Sequence, residues 1–130
     1  MSIILGSRSL MRLEGVHPDL VRVVKRAAAM SDLDFTVLEG LRTEARQRQL
    51  LKEGATKTLN SRHLTGHAVD LAPMLDGKVS WDWPLYRRLA KIVKSAAALE
   101  KVPLQWGGDW RTFKDGPHWE LPWKQYRKEK

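Results

Sequence analysis

Apolar positions along the chain follow two rhythms. After His17-Pro18-Asp19, the residues Leu20, Val23, Val24 and Ala27 recur at the three- and four-residue steps of one helix face, ending near Met30-Ser31. Proline in a first helical turn and aspartate at the positive end of the helix dipole mark the start. A longer run of this kind opens at Pro84 and continues to about Leu99, with Leu85, Leu89, Ile92, Val93 and Ala96 on one face. A further helix is predicted over roughly 43–53, capped by Thr43 with Gln47 nearby and stopped by Gly54. The other rhythm is that of short strands. These are Phe35-Thr36-Val37-Leu38-Glu39, then Ala68-Val69-Asp70-Leu71-Ala72 ended by Pro73, then Leu104-Gln105-Trp106 broken by Gly107-Gly108, and His118-Trp119-Glu120-Leu121 closed by Pro122. Gly40-Leu41-Arg42 turns out of the first strand, Asp76-Gly77 marks another turn, and residues 55–66 read as loop. Helices and strands mix without a regular βαβ rhythm. That predicts an α+β fold, a short antiparallel sheet with about three helices. No repeat, low-complexity tract or Pro/Ser linker divides the 130 residues, so one domain over 1–130 is expected.

Composition narrows the chemistry. The chain has no cysteine, which excludes a disulfide scaffold, a thiolate metal site and a cysteine nucleophile. Any metal must be held by His, Asp or Glu. The net charge of +8 suits a polyanionic partner: nucleic acid, an anionic membrane surface or an anionic wall polymer. Solubility alone is the plainer reading of that charge. No helix-turn-helix or aromatic RNA-binding signature is present, so no nucleic-acid partner is expected. No window of about 18 apolar residues exists to span a membrane. The N-terminal stretch has only the short apolar patch Ile3-Ile4-Leu5 with no basic region before it, and does not read as a secretory signal.

The stretch SRHLTGHAVD, residues 61–70, carries the most chemistry. His63 and His67 stand four apart, the spacing of two metal ligands on one helix face. A helix is nevertheless disfavoured, because Gly66 interrupts it and a β-branched run follows. His63 and Asp70 are seven apart, so in one straight strand they would point to opposite faces. They converge only if the chain bends between them, and Gly66 is free to adopt positive φ. Asp70 lies within an otherwise apolar strand, where a carboxylate must be paired or coordinated. Farther on, His118 has Asp115 three residues before it and Glu120 two after, on the same face of a strand. His63, Asp70 and His118 together make a nitrogen-and-oxygen set of three. Such a set leaves a fourth tetrahedral position open, as a catalytic zinc requires. Trp106, Trp110 and Trp119 suit either a groove wall or the core.

These pieces form a recognisable order. Residues 61–70 carry S-x-H-x-x-G-x-A-x-D as Ser61, His63, Gly66, Ala68 and Asp70, and residues 115–118 carry an acid-x-x-H element. Glu39-Gly40-Leu41-Arg42-Thr43, followed by Gln47 or Gln49, matches a G-x-R-[ST] turn and helix. Trp106-Gly107-Gly108-Asp109-Trp110 matches W-G-G-x-W. From about His17 to Leu121 the chain thus resembles the zinc D,D-carboxypeptidase and L,D-endopeptidase family. That family comprises VanY-like and VanX-like enzymes and the small phage endolysins that cut between L-alanine and D-glutamate.

The resemblance implies the small α+β fold these enzymes share with the hedgehog signalling domain. It also implies one Zn2+ per chain on His63, Asp70 and His118, and Asp115 as the base that takes a proton from the attacking water. Arg42 would face the scissile carbonyl and stabilise the oxyanion. Ser61 would fix the substrate or the loop. Trp106 and Glu120 would serve as substrate contacts, with Glu120 also able to orient a ligand and the rival of Asp115 as base. The implied substrate is the peptide stem of peptidoglycan, cleaved at the L-alanyl-D-glutamate bond. The alternatives are D-alanyl-D-alanine carboxypeptidase or dipeptidase chemistry, or a non-catalytic metal-containing binding domain. By the same resemblance the protein would be a monomer made in the cytoplasm of an infected bacterial host. It would act on the periplasmic wall after release, with its positive charge able to hold it on an anionic envelope.

Overall fold

Strand β2 (Ala68–Leu75) is the spine of an antiparallel sheet. On one side it pairs with β1 (Phe35–Glu39), on the other with β5 (His118–Glu120), and β5 in turn pairs with β4 (Gln105–Trp106). The two-residue β3 (Lys78–Val79) folds back onto the end of β2 across the Asp76-Gly77 turn. The computed structural model describes residues 2–55, 61–112 and 114–126. Among these are four α-helices: α1 (Ser7–Arg12), α2 (Pro18–Met30), α3 (Glu44–Lys52) and α4 (Trp83–Glu100).

The amphipathic runs form the two long helices, and the α+β class is as expected. Leu20, Val23, Val24 and Ala27 of α2 and Leu89, Val93 and Ala96 of α4 are buried, packed with Val69, Leu71 and Trp119 of the sheet. Both start signals act as read: Pro18 and Asp19 stand in the first turn of α2, and the Thr43 hydroxyl accepts from the Arg46 N–H at the head of α3. The His17 ring adds a cap to α2 by accepting from the Asp19 N–H.

Three expectations are corrected. Among the described residues there are four α-helices where about three were expected, the additional one being α1 in the N-terminal stretch. Its Ser9 hydroxyl is paired with Thr36 and accepts from the Val37 N–H, and Arg12 donates to the Val37 carbonyl, so β1 holds it in place. Pro73 does not end β2. The N–H and C=O of a strand residue point to the same side, and the Pro73 carbonyl accepts from Ser80, away from β1. The missing N–H falls on that side too, so pairing with β1 continues. The loop reading of 55–66 is replaced at its end by a 3-10 turn over Arg62–Thr65, while its positions 56–60 lie outside the described residues.

Candidate metal centre and active site

The sheet register builds the site. Asp70 on β2 stands directly opposite His118 on β5 and opposite Glu39 on β1, so three polar residues form a row across three strands. His118 and Glu120 share this face, while Trp119 between them turns to the core. His63 arrives from the 3-10 turn. Ser61 caps that turn by accepting from the His63 N–H, and Gly66 ends it at φ +77. The chain therefore bends where the odd spacing of His63 and Asp70 requires. One ligand atom from each of His63, Asp70 and His118 lies within 4.8 Å of the others. His67 faces elsewhere, toward Thr65, His17 and Tyr126.

The two imidazoles are oriented from behind in opposite senses. His63 Nδ1 donates to the Gly40 carbonyl at 2.8 Å, and its Nε2 lies 3.1 Å from Asp70 Oδ1. His118 Nε2 donates to Glu120 Oε1 at 2.8 Å, and its Nδ1 sits 3.4 Å from the same Asp70 oxygen. Hydrogen bonds of this kind fix tautomer and ring direction in metal-binding histidines. Burial opposes ionisation of Asp70, but hydrogen bonds from His118 and His63 outweigh it and hold the carboxyl well below the usual range. Burial likewise disfavours a charged His118, yet Asp70 and Glu120 raise its pKa to about 9. The donor set fits a divalent cation: two aimed imidazole nitrogens and one ionised carboxylate converge on a point.

Asp115, Glu120, Arg42 and Ser61 line the same cleft, of about 570 Å3. Asp115 has a carboxyl raised above the ordinary aspartate value, first by burial and then by the negative Asp70 nearby. Glu120 is tied to His118, whereas no described residue hydrogen-bonds the Asp115 carboxylate. Arg42 is fixed by two partners: it pairs with Glu39 and donates Nη1 to the Gln47 amide oxygen at 2.6 Å. Three of its five N–H groups are used in these bonds, and no described residue takes the other two. Ser61 also borders the cleft. Trp106 does not. It is buried, stacked on Trp119 with centroids 5.8 Å apart, and donates its indole N–H to Gly116 O at 2.7 Å. The expected substrate contact at Trp106 is therefore corrected to a core residue that pins the turn between Asp115 and His118. The indoles bordering the cleft are Trp81, Trp110 and Trp123.

Glu39, Gln47 and the Gly40 carbonyl carry positioning duties that the sequence reading left unassigned. Glu39 and Gly40 belong to the quoted E-G-L-R-T segment, so a signal was present. Gly107 has a duty of its own. A Cβ there would run into the Asp115 carbonyl and crowd Asp115 Cβ and His118 Cβ. We expect Gly107→Ala to displace the turn and cut turnover by roughly ten- to a hundredfold, given the cost of misplacing reacting groups. Gly6→Ala, where nothing lies within 4 Å of the added carbon, should leave turnover unchanged. Assays of the two variants side by side check this, and equal activity would contradict it.

An α+β domain that gathers in one cleft a His–Asp–His set and a half-buried acid, its carboxylate bonded by no described residue, has the build of a hydrolytic metal site. Comparison with known proteins gives the family. The model of the phage L-alanyl-D-glutamate peptidase family matches residues 1–121, and the chain belongs to that family. It is 34% identical over 119 residues to the L-alanyl-D-glutamate peptidase of Escherichia phage T5, covering 88% of this chain and 87% of that one. It is 32% identical over 117 residues to the peptidoglycan L-alanyl-D-glutamate endopeptidase CwlK of Bacillus subtilis, covering 75% of this chain and 66% of that one. The crystal structure of the Serratia marcescens L-Ala D-Glu endopeptidase ChiX superimposes with a TM-score of 0.88 at 50% identity, covering 92% of this chain and 90% of that one. The chain is thus a peptidase with the fold of a solved endopeptidase.

Proposed function

We propose that this peptidase is a zinc enzyme that hydrolyses the L-alanyl-D-glutamate bond of murein stem peptides, acting as a single-domain monomer in the manner of a phage endolysin. The observation that carries the reading is the convergence of His63, Asp70 and His118 beside Asp115, in a family named for that bond. His63 Nε2, Asp70 Oδ1 and His118 Nδ1 would hold the zinc. Zinc bound there would supply a Lewis acid that polarises the carbonyl and makes water acidic.

The chain's own groups do the rest. Asp115, its proton affinity raised by burial, takes a proton from the attacking water and delivers it to the D-glutamate nitrogen as the amide bond breaks. Arg42, fixed by Glu39 and Gln47, turns its two unused N–H groups to the developing oxyanion. A donor in such a place is worth about 3 kcal/mol. Ser61 holds the His63 turn at the cleft edge and is available to the substrate. Glu120 keeps His118 aligned through Nε2. No helix of the described residues is long and apolar enough to cross a membrane. The wall is the place of action, and the net charge of +8 favours adhesion to its anionic polymers.

Mass spectrometry of purified murein after digestion tests this. New amino ends on D-glutamate together with muramyl-L-alanine ends are expected. Release of D-alanine alone would move the activity to carboxypeptidase chemistry. In the same assay a chelator should stop product formation and added zinc restore it. Cleavage that persists after all metal is removed would rule out the zinc.

A further inference from the structure

Three indoles border the cleft, and a bond between alanine and glutamate gives them little to hold. Trp81 is 65% exposed and Trp123 is 40% exposed, while Trp110 leans on His118. Trp123 is distinguished by how it is fixed. The Arg62 guanidinium lies 4.0 Å from its ring centroid. Arg62 is itself buried and donates to the carbonyls of Leu121 and Tyr126, on either side of Trp123 in the chain. The cation thus secures one face of the indole, and Trp123 borders the cleft while partly exposed. Among the described residues Trp81 has a tilted ring contact with Tyr86, centroids 6.4 Å apart, and no cation over its face. A rigid, open indole beside a hydrolytic site is a platform awaiting a flat apolar partner.

The substrate offers such a partner on one side only. The methyl of alanine and the carboxylate of glutamate have no broad apolar face. The amino group of the stem's L-alanine, however, is joined through a lactyl group to muramic acid, whose pyranose ring presents a face of C–H groups. A single residue, about 3.8 Å of chain, separates the scissile carbonyl from that lactyl amide. We propose that Trp123, held by Arg62, is a stacking platform for the muramyl sugar on the acyl side of the scissile bond. The enzyme would then recognise the stem peptide together with the glycan from which it hangs. This rests on the L-alanyl-D-glutamate reading of the cleft.

The test uses the zinc-loaded full chain and two soluble substrates that share one stem, L-Ala-D-Glu-diaminopimelate, capped by N-acetylmuramic acid in one and by acetyl in the other. Trp123→Ala should lower kcat/KM on the muramyl substrate about tenfold more than on the acetyl one, as loss of an aromatic contact predicts. Trp123→Phe keeps a ring over Arg62 and should recover most of that difference. Equal losses on both substrates, no loss on either, or a sugar-dependent loss in Trp81→Ala instead would each overturn the proposal. A wild-type chain that cleaves both substrates equally well removes the platform alone, whereas one that cleaves neither removes the peptidase reading beneath it.

Discussion

Asp115→Asn should cut turnover on murein by two to four orders of magnitude, the usual worth of a positioned proton carrier, while leaving the chain's metal in place. The expectation follows from what Asp115 does and does not touch. It is held by its backbone: its N–H donates to the Gly107 carbonyl, and its own carbonyl accepts from His118 N–H. No described residue hydrogen-bonds its carboxylate, and burial together with Asp70 raises that group's pKa. An amide of the same shape keeps the turn and loses only the proton carrier. Glu120 is the contrasting case, since its carboxylate accepts from His118 Nε2. Glu120→Gln keeps an accepting oxygen there, so its principal cost should fall on metal retention, about ten- to a hundredfold for a partner behind a metal ligand. Turnover and metal content measured on both variants separate the roles. If Glu120→Gln is dead at full metal occupancy and Asp115→Asn is active, the base has been misassigned.

The sequence reveals much of this arrangement, and the gaps have physical causes. The long helices are legible because each buries one apolar stripe, Leu20 to Ala27 in α2 and Leu85 to Ala96 in α4. Helix α1 has six residues and no repeating face of its own. The side chains of Ser9 and Arg12 fasten it to β1, and single-chain periodicity does not show such contacts. The bend between His63 and Asp70 was legible in Gly66 and the odd spacing. The orienting partner of His63 was not, because it is a backbone carbonyl, and Gly40 advertises only the absence of a side chain. For that glycine the reason is external: a Cβ would strike the Arg12 carbonyl. The tryptophans divide by strand parity. Trp119 lies between His118 and Glu120 and must face the core. Trp106 pairs with Trp119 in register and goes with it. Parity gives no guide to Trp81, Trp110 and Trp123, which sit outside the strands.

Asp70→Asn should abolish both metal binding and turnover, and lower the stability of the metal-free chain as well. Asp70 is the only carboxylate in the set, and its Oδ1 lies within 3.1 Å of His63 Nε2 and 3.4 Å of His118 Nδ1. The amide removes the negative charge that draws a divalent cation between the two imidazole nitrogens. Without metal the amide also costs stability. The folded chain favours an ionised Asp70 through its bonds with the two histidines. Removing one partner of such a pair leaves the other uncompensated, a loss of up to about 3–5 kcal/mol. The revealing quantity is therefore the rise in melting temperature on adding zinc. A cation that binds only the folded chain stabilises it by about 4 kcal/mol at a thousandfold excess over its Kd. For a domain of this size that is a rise of well over 10 °C. The wild-type chain should show it and Asp70→Asn should not, the variant starting from a lower metal-free melting temperature. His63→Ala should also lose the zinc-induced rise, again from a lower starting point, because a buried ring bonded to Gly40 is removed. A full zinc-induced rise in Asp70→Asn would place the cation elsewhere and break the link between the central strand and the chemistry.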